Sequence, residues 1–504
     1  AITLLLLWRT DKKLQNKNEN IFYINYAGGD DLVILGPIYG ILQLANKIHI
    51  EFKEFVQNTN ITLSAGIHIQ NPKKPIRFGI KMADNALEAS KSYVKDDRSK
   101  NAITIMNSTF SFEELPNILN KIETYRGYLN DKTNPLSIEK YGQELVGKTF
   151  RDIIELDKVS KAIEASEADI GHEAIDLNDK RTQENRDNKG NLGQIIEEKH
   201  FHYLCNNDSR PDFHEAGVEL KVTPYKINSK GKKVAKERLI LTMIDYFSVV
   251  NEEFKDSHLW NKSKLILLVY YLYLKEIQYR IDYKIDYVKL FTPPEQDIKI
   301  IKHDYKVIVR KIREGKAHEL SEGDTLYLGA ATKAASSADR RKQPFSEELA
   351  KPRAFSFKSS YMTYVLNNYI IPGKNTYEPI IKQDIAQDFE EYVEEKIGAY
   401  QGCNVDNLCK EFQIVREKRP KNLEAMLAYR MLGIKGNHAE EFEKANIVVK
   451  TIRIGRNNKI KESMSFPTFK FTELVKENWE TSTFGNYLEQ TRFLFVIYKY
   501  NKNN

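Results

Sequence analysis

The sequence predicts a mixed α/β (α+β) fold made of three successive segments, and three observations carry that expectation. Strand-length and helix-length apolar patterns alternate through roughly the first 130 residues. The run Val218-Glu219-Leu220-Lys221-Val222 alternates strictly, as a half-buried strand does. The run KLILLVYYLYL at residues 264–274 is apolar, bounded and too short to cross a bilayer, so it reads as a buried strand. A length of 504 residues fits about three domains. Hydrophobic residues, at 41%, are enough for real cores, and 29% charge argues for a chain in water. A net charge of +7 permits a nucleic-acid partner without demonstrating one. The three cysteines, Cys205, Cys403 and Cys409, form no C-x-x-C pair, which argues against a disulfide framework and a zinc site. No targeting signal or membrane span is read, and the expected location is the cytoplasm.

In chain order, residues 21–37 read as strand, tight turn, strand, with Gly28-Gly29 at the bend and Asp30-Asp31 at the tip. A helix over 38–55, a strand over 61–69, a helix over 82–94 and a strand over 101–106 follow. From the residues alone, GGDD is either a hairpin turn, since Gly and Asp dominate such turns, or a metal-nucleotide site with paired aspartates. YAGGDDLVILGP, ITLSAGIHI, NPKKPI and the helix with ALEASK together resemble the GGDD palm of the large subunit of type III CRISPR effector complexes. The resemblance covers 1–128 and implies a ferredoxin-like palm. It implies ATP as a ligand, two palms that together make cyclic oligoadenylates, and metal binding by Asp30 and Asp31 behind Gly28 and Gly29. That family's first palm, its nuclease domain and the strand ahead of the hairpin are not found. The expectation is an incomplete palm that does not cyclise ATP.

Residues 129–137, polar with a proline, are expected to be a linker, and a new amphipathic pattern starts at Tyr141. The polar stretch 176–191 reads as a loop. In NLGQIIEEKHFHYL, Leu192, Ile195, Ile196, Tyr203 and Leu204 share one helical face, with Glu197 at its edge. Taken alone, Glu197 reads as a solvated helix glutamate. Next comes PDFHEAGVELK, residues 211–221. Val218, Leu220 and Val222 are expected to face the core, and Glu219 and Lys221 the other side. Asp212, Glu219 and Lys221 then converge at one strand end, as a magnesium-dependent phosphodiester hydrolase requires. A bare D-x6-E-x-K is unremarkable in so charged a chain; Glu51-Phe52-Lys53 is another E-x-K.

An internal repeat raises its significance. DFHEAGVELK, from Asp212, aligns without gaps on EFEKANIVVK, from Glu441. KERLILTMIDYF, from Lys236, matches KESMSFPTFKF, from Lys461, and KLILLVYY matches RFLFVIYK, from Arg492. Val448 replaces the central glutamate in the second copy, which is expected to be catalytically dead.

These motifs, with GKAHELSEG, ATKAASSADRR, PRAFSFKSSYMTYVL and EEFEKANIVVKTIR, resemble the MutH-like, two-copy type II restriction endonucleases. The resemblance implies a PD-(D/E)xK nuclease domain over 138–400 and a second, truncated copy over 401–504. It implies Mg²⁺ held by Asp212, Glu219 and the Leu220 carbonyl, with Lys221 orienting or deprotonating the attacking water. Glu197 matches the family's helix glutamate, Lys262 the lysine ahead of the next strand (Lys264 lies close by), and Lys189 a lysine near bound DNA. It further implies double-stranded DNA as substrate, preference for GATC, ends bearing a 5′ phosphate, and a cognate DNA methyltransferase in the same system. Lys333, Arg340, Arg341, Lys342, Arg353 and Lys358 form either a solvated basic loop or a DNA-contacting one, and the resemblance favours contact. Two other readings stand beside the nuclease: a CRISPR-associated cyclase subunit, and a non-catalytic DNA-binding remnant.

Overall fold

The computed structural model describes residues 2–7, 22–28, 31–57, 61–70, 75–95, 98–105, 108–167, 191–203, 210–334, 336, 338–373, 377–382, 387–414, 422–460, 462–479 and 482–500. The chain forms two compact units. One comprises Ala1–Asp131 with Ser160–Ile175, the other Lys132–Val159 with Asp176–Asn504.

The first unit is a six-stranded sheet in the order β2-β3-β1-β4-β7-β8. Its strands are β1 (Ile2–Leu7), β2 (Tyr23–Gly28), β3 (Asp31–Leu35), β4 (Ala65–Gln70), β7 (Ala102–Ile105) and β8 (Ser108–Ser111). The small ribbon of β5 (Val94–Lys95) and β6 (Arg98–Ser99) precedes β7. β2 and β3 form the expected antiparallel hairpin, with Gly28 opposite Asp31. The strand expected to be missing ahead of that hairpin is present: β1 pairs in parallel with both β3 and β4. The sequence reading assigned no strand to these residues, which complete the middle of the sheet. Helices Ile38–Val56, Ile76–Lys91 and Leu115–Asn130 accompany the sheet. Ile41, Ala45, Ala65, Ile67, Ile103 and Leu115 form much of its core. Gly66 is required here: a Cβ would stand 2.2 Å from the Ala83 carbonyl oxygen of helix Ile76–Lys91.

The boundary between the two units, Asp131 to Lys132, falls inside the expected linker at 129–137, and helices reach into both its ends: Leu115–Asn130 at its start and Pro135–Gly142 at its end. The Asn134 side chain accepts the Leu136 N–H, and Pro135 sits at the helix start, where its missing N–H costs nothing.

The second unit is built on a four-stranded sheet, β10-β9-β12-β13. It contains β9 (Glu219–Ile227), β10 (Lys233–Ala235), β12 (Ile266–Leu272) and β13 (Ile285–Phe291). β12 lies between β9 and β13, parallel to the first and antiparallel to the second, and is buried over nearly its whole length. That position explains its unbroken apolar sequence. β11 (Leu239–Met243), β14 (Leu328–Thr332) and β17 (Arg353–Phe357) form a second sheet, and β15 (Arg341–Gln343) pairs with β16 (Ser346–Ala350). Helix Glu295–Arg313 packs inward through Ile301, Tyr305, Ile308 and Ile312.

The repeat is visible in the backbone. β18 (Ile447–Ile454) and β19 (Arg492–Lys499) pair in parallel, as β9 and β12 do. Gly217 has φ 66° and its repeat counterpart Asn446 φ 53°, both left-handed, so each copy enters its strand through the same bend. Phe213 and its counterpart Phe442 are both buried. The segment matching β11 forms no strand in copy two, where Pro467 removes a backbone donor. Among the described residues no further strand flanks β19, and Phe495 and Ile497 are exposed on it. The two copies share one core: Leu432, Ile434, Ala439, Phe442 and Ala445 pack with β12 and helix Glu295–Arg313.

Candidate active site

The turn Asp212–Gly217 ends in a short backbone bridge, with the Phe213 N–H on the Val218 carbonyl at 2.9 Å and the Val218 N–H on Phe213 at 3.2 Å. Gly217 in the left-handed region makes that bend possible. Phe213 is fully buried against Phe201 and Tyr203, at ring distances of 4.7 and 5.1 Å. This anchors Asp212 beside the start of β9, where its Oδ2 accepts the Leu220 N–H at 2.9 Å.

Glu219 opens β9 and is only 1% exposed. Lys221, two residues along the same face, donates to Glu219 Oε1 at 2.7 Å. A second ammonium comes from across the sheet. β9 and β12 pair with Glu219 opposite Ile266, and the Glu219 N–H donates to the Leu265 carbonyl at 3.0 Å. The helix His258–Ser263 immediately precedes that segment. It is capped by Ser257 and held by Trp260 against Phe254. Lys262 at its end therefore lies 3.4 Å from Glu219 Oε2, whereas Lys264 is exposed. The sequence reading matched Lys262, with Lys264 close by, and the register brings Lys262 to Glu219.

Charge in this cluster is unevenly balanced. Burial, and then the nearby Glu219 charge, pushes the Asp212 carboxyl above the ordinary aspartate range, against the pull of Lys221, the Leu220 N–H and Lys262. Glu219 Oε2 is buried without a well-formed hydrogen bond; its contact with Lys262 is an ion pair at longer range. Two mutually repelling carboxylates, one with an unsatisfied oxygen, suit a hard divalent cation. Among the described residues no group of three or more His, Cys, Asp or Glu side chains forms a metal cluster.

Glu197 stands on a helix that changes character. Asn191–Ile195 is α-helical, and Ile196–His200 forms a π-turn instead of the regular helix expected. Such turns often mark functional segments. The helix backs β9 on the side of Val222, which lies 4.0 Å from a Cβ placed on Gly193. The structure gathers Asp212, Glu219, Lys221 and Lys262, and puts Glu197 on the helix behind that strand. Below Glu197, His200 stacks on Tyr141 at 4.2 Å, and its Nε2 lies 3.0 Å from the Tyr141 carbonyl oxygen. Burial pushes the imidazole down to about 3, so it is neutral at physiological pH. Nothing in the sequence singled out this clasp, which depends on residues 59 apart.

The copy-two counterparts have other duties. Glu441, matching Asp212, accepts the Ile380 and Ile381 N–H groups at 2.9 and 3.0 Å. Val448 replaces Glu219, and Lys450, matching Lys221, donates to the Ser465 carbonyl at 2.8 Å.

The basic segment divides. Lys333, Arg340, Arg341 and Lys342 are exposed, around and within β15. Arg353 and Lys358 depart from the expected open loop. Arg353 donates to the Ala330 carbonyl at 2.7 Å within the sheet. Lys358 is 8% exposed and donates to the Thr325 carbonyl, and burial pulls its ammonium down to about 8. Both precede or belong to core elements, which charge counting cannot reveal. Lys189, Gly29 and Asp30, and the side chain of Asp31, lie outside the described residues; Gly28 ends β2.

A mixed sheet with two carboxylates and a lysine gathered at the start of one central strand has the side chains that a hydrolytic site of nuclease type would use. Comparison with known proteins identifies the family. Residues 201–304 and 432–504 match the model of MutH, the DNA mismatch repair enzyme, and 7–104 match the second palm domain of Cas10/Cmr2. The type II restriction enzyme Sau3AI of Staphylococcus aureus is 39% identical over 350 residues, covering 66% of this chain and 70% of that enzyme. The chain belongs to the family of that enzyme, the MutH-like restriction endonucleases, and is a site-specific deoxyribonuclease. DNA mismatch repair protein MutH of Shewanella sp. is 26% identical over 183 residues, 36% of this chain and 79% of that protein. The CRISPR single-strand-specific deoxyribonuclease Cas10/Csm1 of Methanocaldococcus jannaschii is 38% identical over 105 residues, 19% of this chain but 13% of that protein. Among the described residues, no helix is long and apolar enough to cross a membrane.

Proposed function

We propose that the chain cuts double-stranded DNA at GATC with Mg²⁺, leaving 5′ phosphates, through the single site formed by Asp212, Glu219, Lys221 and Lys262. The observation that supports this most is the buried Glu219, flanked by two ammonium groups and facing the raised carboxyl of Asp212. Asp212, Glu219 and the Leu220 carbonyl would hold the cation. When bound, it supplies charge for the phosphate and acidifies water. Lys221 orients the attacking water and takes or steers its proton. Lys262 holds Glu219 in place and adds positive charge where the phosphorane develops. Glu197 contributes from the helix behind β9. Lys333, Arg340, Arg341 and Lys342, with Lys189, contact DNA. GATC preference and a cognate methyltransferase are taken from the family resemblance. Incubation of the full chain with Mg²⁺ and duplexes with and without GATC tests this reading; cutting of both alike, or of neither, contradicts it.

For the palm segment, β1 supplies the strand the sequence was expected to lack, yet cyclisation would still need a partner palm. The proposed reading is that it does not cyclise ATP. ATP turnover by the purified chain, lost on Asp30→Ala with Asp31→Ala, would overturn it.

A further inference from the structure

Helix Glu295–Arg313 has an outward face that neither the cleavage site nor the basic 333–342 segment uses. Its inward face is apolar, and two of its acids, Asp297 and Asp304, are turned in with it. Asp297 meets Lys444 at 2.6 Å, and Asp304 accepts the Leu326, Tyr327 and Leu328 N–H groups at 2.7 to 2.9 Å. The outward positions are cationic: Lys299, Lys302, Lys306, Arg310 and Arg313 are all exposed. Exposed carboxylates stand only at the two ends of this face, Glu295 one turn before Lys299 and Glu314 just past Arg313.

Two of the helix's nearby cations are committed elsewhere. Lys311 pairs with Asp324 at 2.8 Å, and the Arg313 guanidinium donates twice to the Val250 carbonyl, at 3.0 and 2.7 Å. On one flank His303 lies 3.9 Å from Asp388, which bounds the basic strip with a carboxylate. Lys302, Lys306 and Arg310 remain as an i, i+4, i+8 row. Successive members are roughly 6 Å apart along the axis, and the row stays on one side of the helix.

We propose that this row is a further contact surface for the phosphate backbone of duplex DNA, holding duplex outside the segment being cut. The phosphates of one strand recur every ~3.4 Å of duplex axis, so each side chain in the row can reach a different phosphate. A protein partner fits less well. Protein interfaces are depleted of lysine at their centres and enriched in aromatic anchors, and no large exposed hydrophobic residue lies on this helix. The contact carries no base information; it adds affinity that weakens with salt. It does not depend on the assignment of the catalytic residues.

The test uses the full chain with Lys302→Gln, Lys306→Gln and Arg310→Gln combined, bound to duplex DNA in chelator so that nothing is cut. Affinity is measured across a salt series, and circular dichroism checks the helix. The slope of log affinity against log salt should shrink by roughly 2.7, about 0.9 for each of three phosphates. The companion Lys302→Arg, Lys306→Arg variant should keep the native slope. A control removing Lys396, Lys410 and Lys459, exposed elsewhere, should change it little. An unchanged slope in the glutamine variant, or an equal loss in the control, overturns the proposal. So does a variant that keeps its DNA slope but loses binding to an acidic polypeptide, which would assign the row to a protein.

Discussion

Replacing Lys221 with alanine separates chemistry from folding. In the native site Lys221 donates to Glu219 Oε1 at 2.7 Å, with 20% of its side chain exposed. Its loss does not strand the buried carboxylate, because Lys262 remains 3.4 Å from Oε2. A hydrogen bond to a charged group contributes about 1.5–3 kcal/mol. Partial exposure and the surviving partner reduce the folding cost to about 1 kcal/mol, small against a total of about 5–15. Catalysis should suffer far more. A positioned proton-transfer group contributes about 10²–10⁴ in rate, which is about 3–5 kcal/mol of barrier. Plasmid cleavage by Lys221→Ala should therefore slow at least about 100-fold, while its melting temperature moves only a few degrees and duplex binding in chelator is retained. Cleavage within about tenfold of the native rate by a folded Lys221→Ala protein would refute the role of this lysine.

Three further outcomes follow from other parts of the second unit. Val448→Glu, placed in a Glu219→Gln background, should not restore cutting, because Glu441 is held by the Ile380 and Ile381 amides and Lys450 by Ser465; any discrete fragments in a plasmid assay would show that copy two is repairable. Lys444 is 1% exposed and bridges Asp297 at 2.6 Å and Glu440 at 2.7 Å, so Lys444→Ala leaves buried charge unpaired and should cost about 3–5 kcal/mol in urea unfolding. His200 is neutral in the fold, its pKa pushed down to about 3, but protonates when unfolded below about 6.5. Its contribution to stability is full above about 6.5 and is lost as pH falls toward about 3, at up to about 1.4 kcal/mol per pH unit. Stability measured against pH for His200→Asn should lack that component, and an identical profile would show that His200 is not buried neutral.

Much of the candidate site was legible because it is local. Asp212, Glu219 and Lys221 sit within one turn and one strand, where a period of two fixes which side chains share a face. The repeat was legible because it kept its frame, and the positive φ at Gly217 and Asn446 shows why those residue types occupy matching positions. Lys262 was reached only through the family resemblance, since its contact with Glu219 depends on the register in which β9 and β12 pair. What escaped was set at long range. β1 was passed over because a six-residue, mostly apolar run does not declare a central strand until β3 and β4 flank it. Arg353 and Lys358 looked like surface cations because the sequence gives their charge but not the carbonyls they meet inside. The π-turn at Ile196–His200 leaves no mark on apolar periodicity over so short a segment.

The central claim is that one complete, metal-dependent site in this chain cuts duplex DNA and that Glu219 is at its heart. The most direct measurement compares the full chain with its Glu219→Gln variant on a GATC-containing duplex with Mg²⁺, resolving fragment ends on a sequencing gel. The native chain should give discrete fragments ending at GATC with 5′ phosphates, and the variant should bind the same duplex and leave it intact. An uncut duplex with the native chain, or equal cutting by Glu219→Gln, would contradict the account.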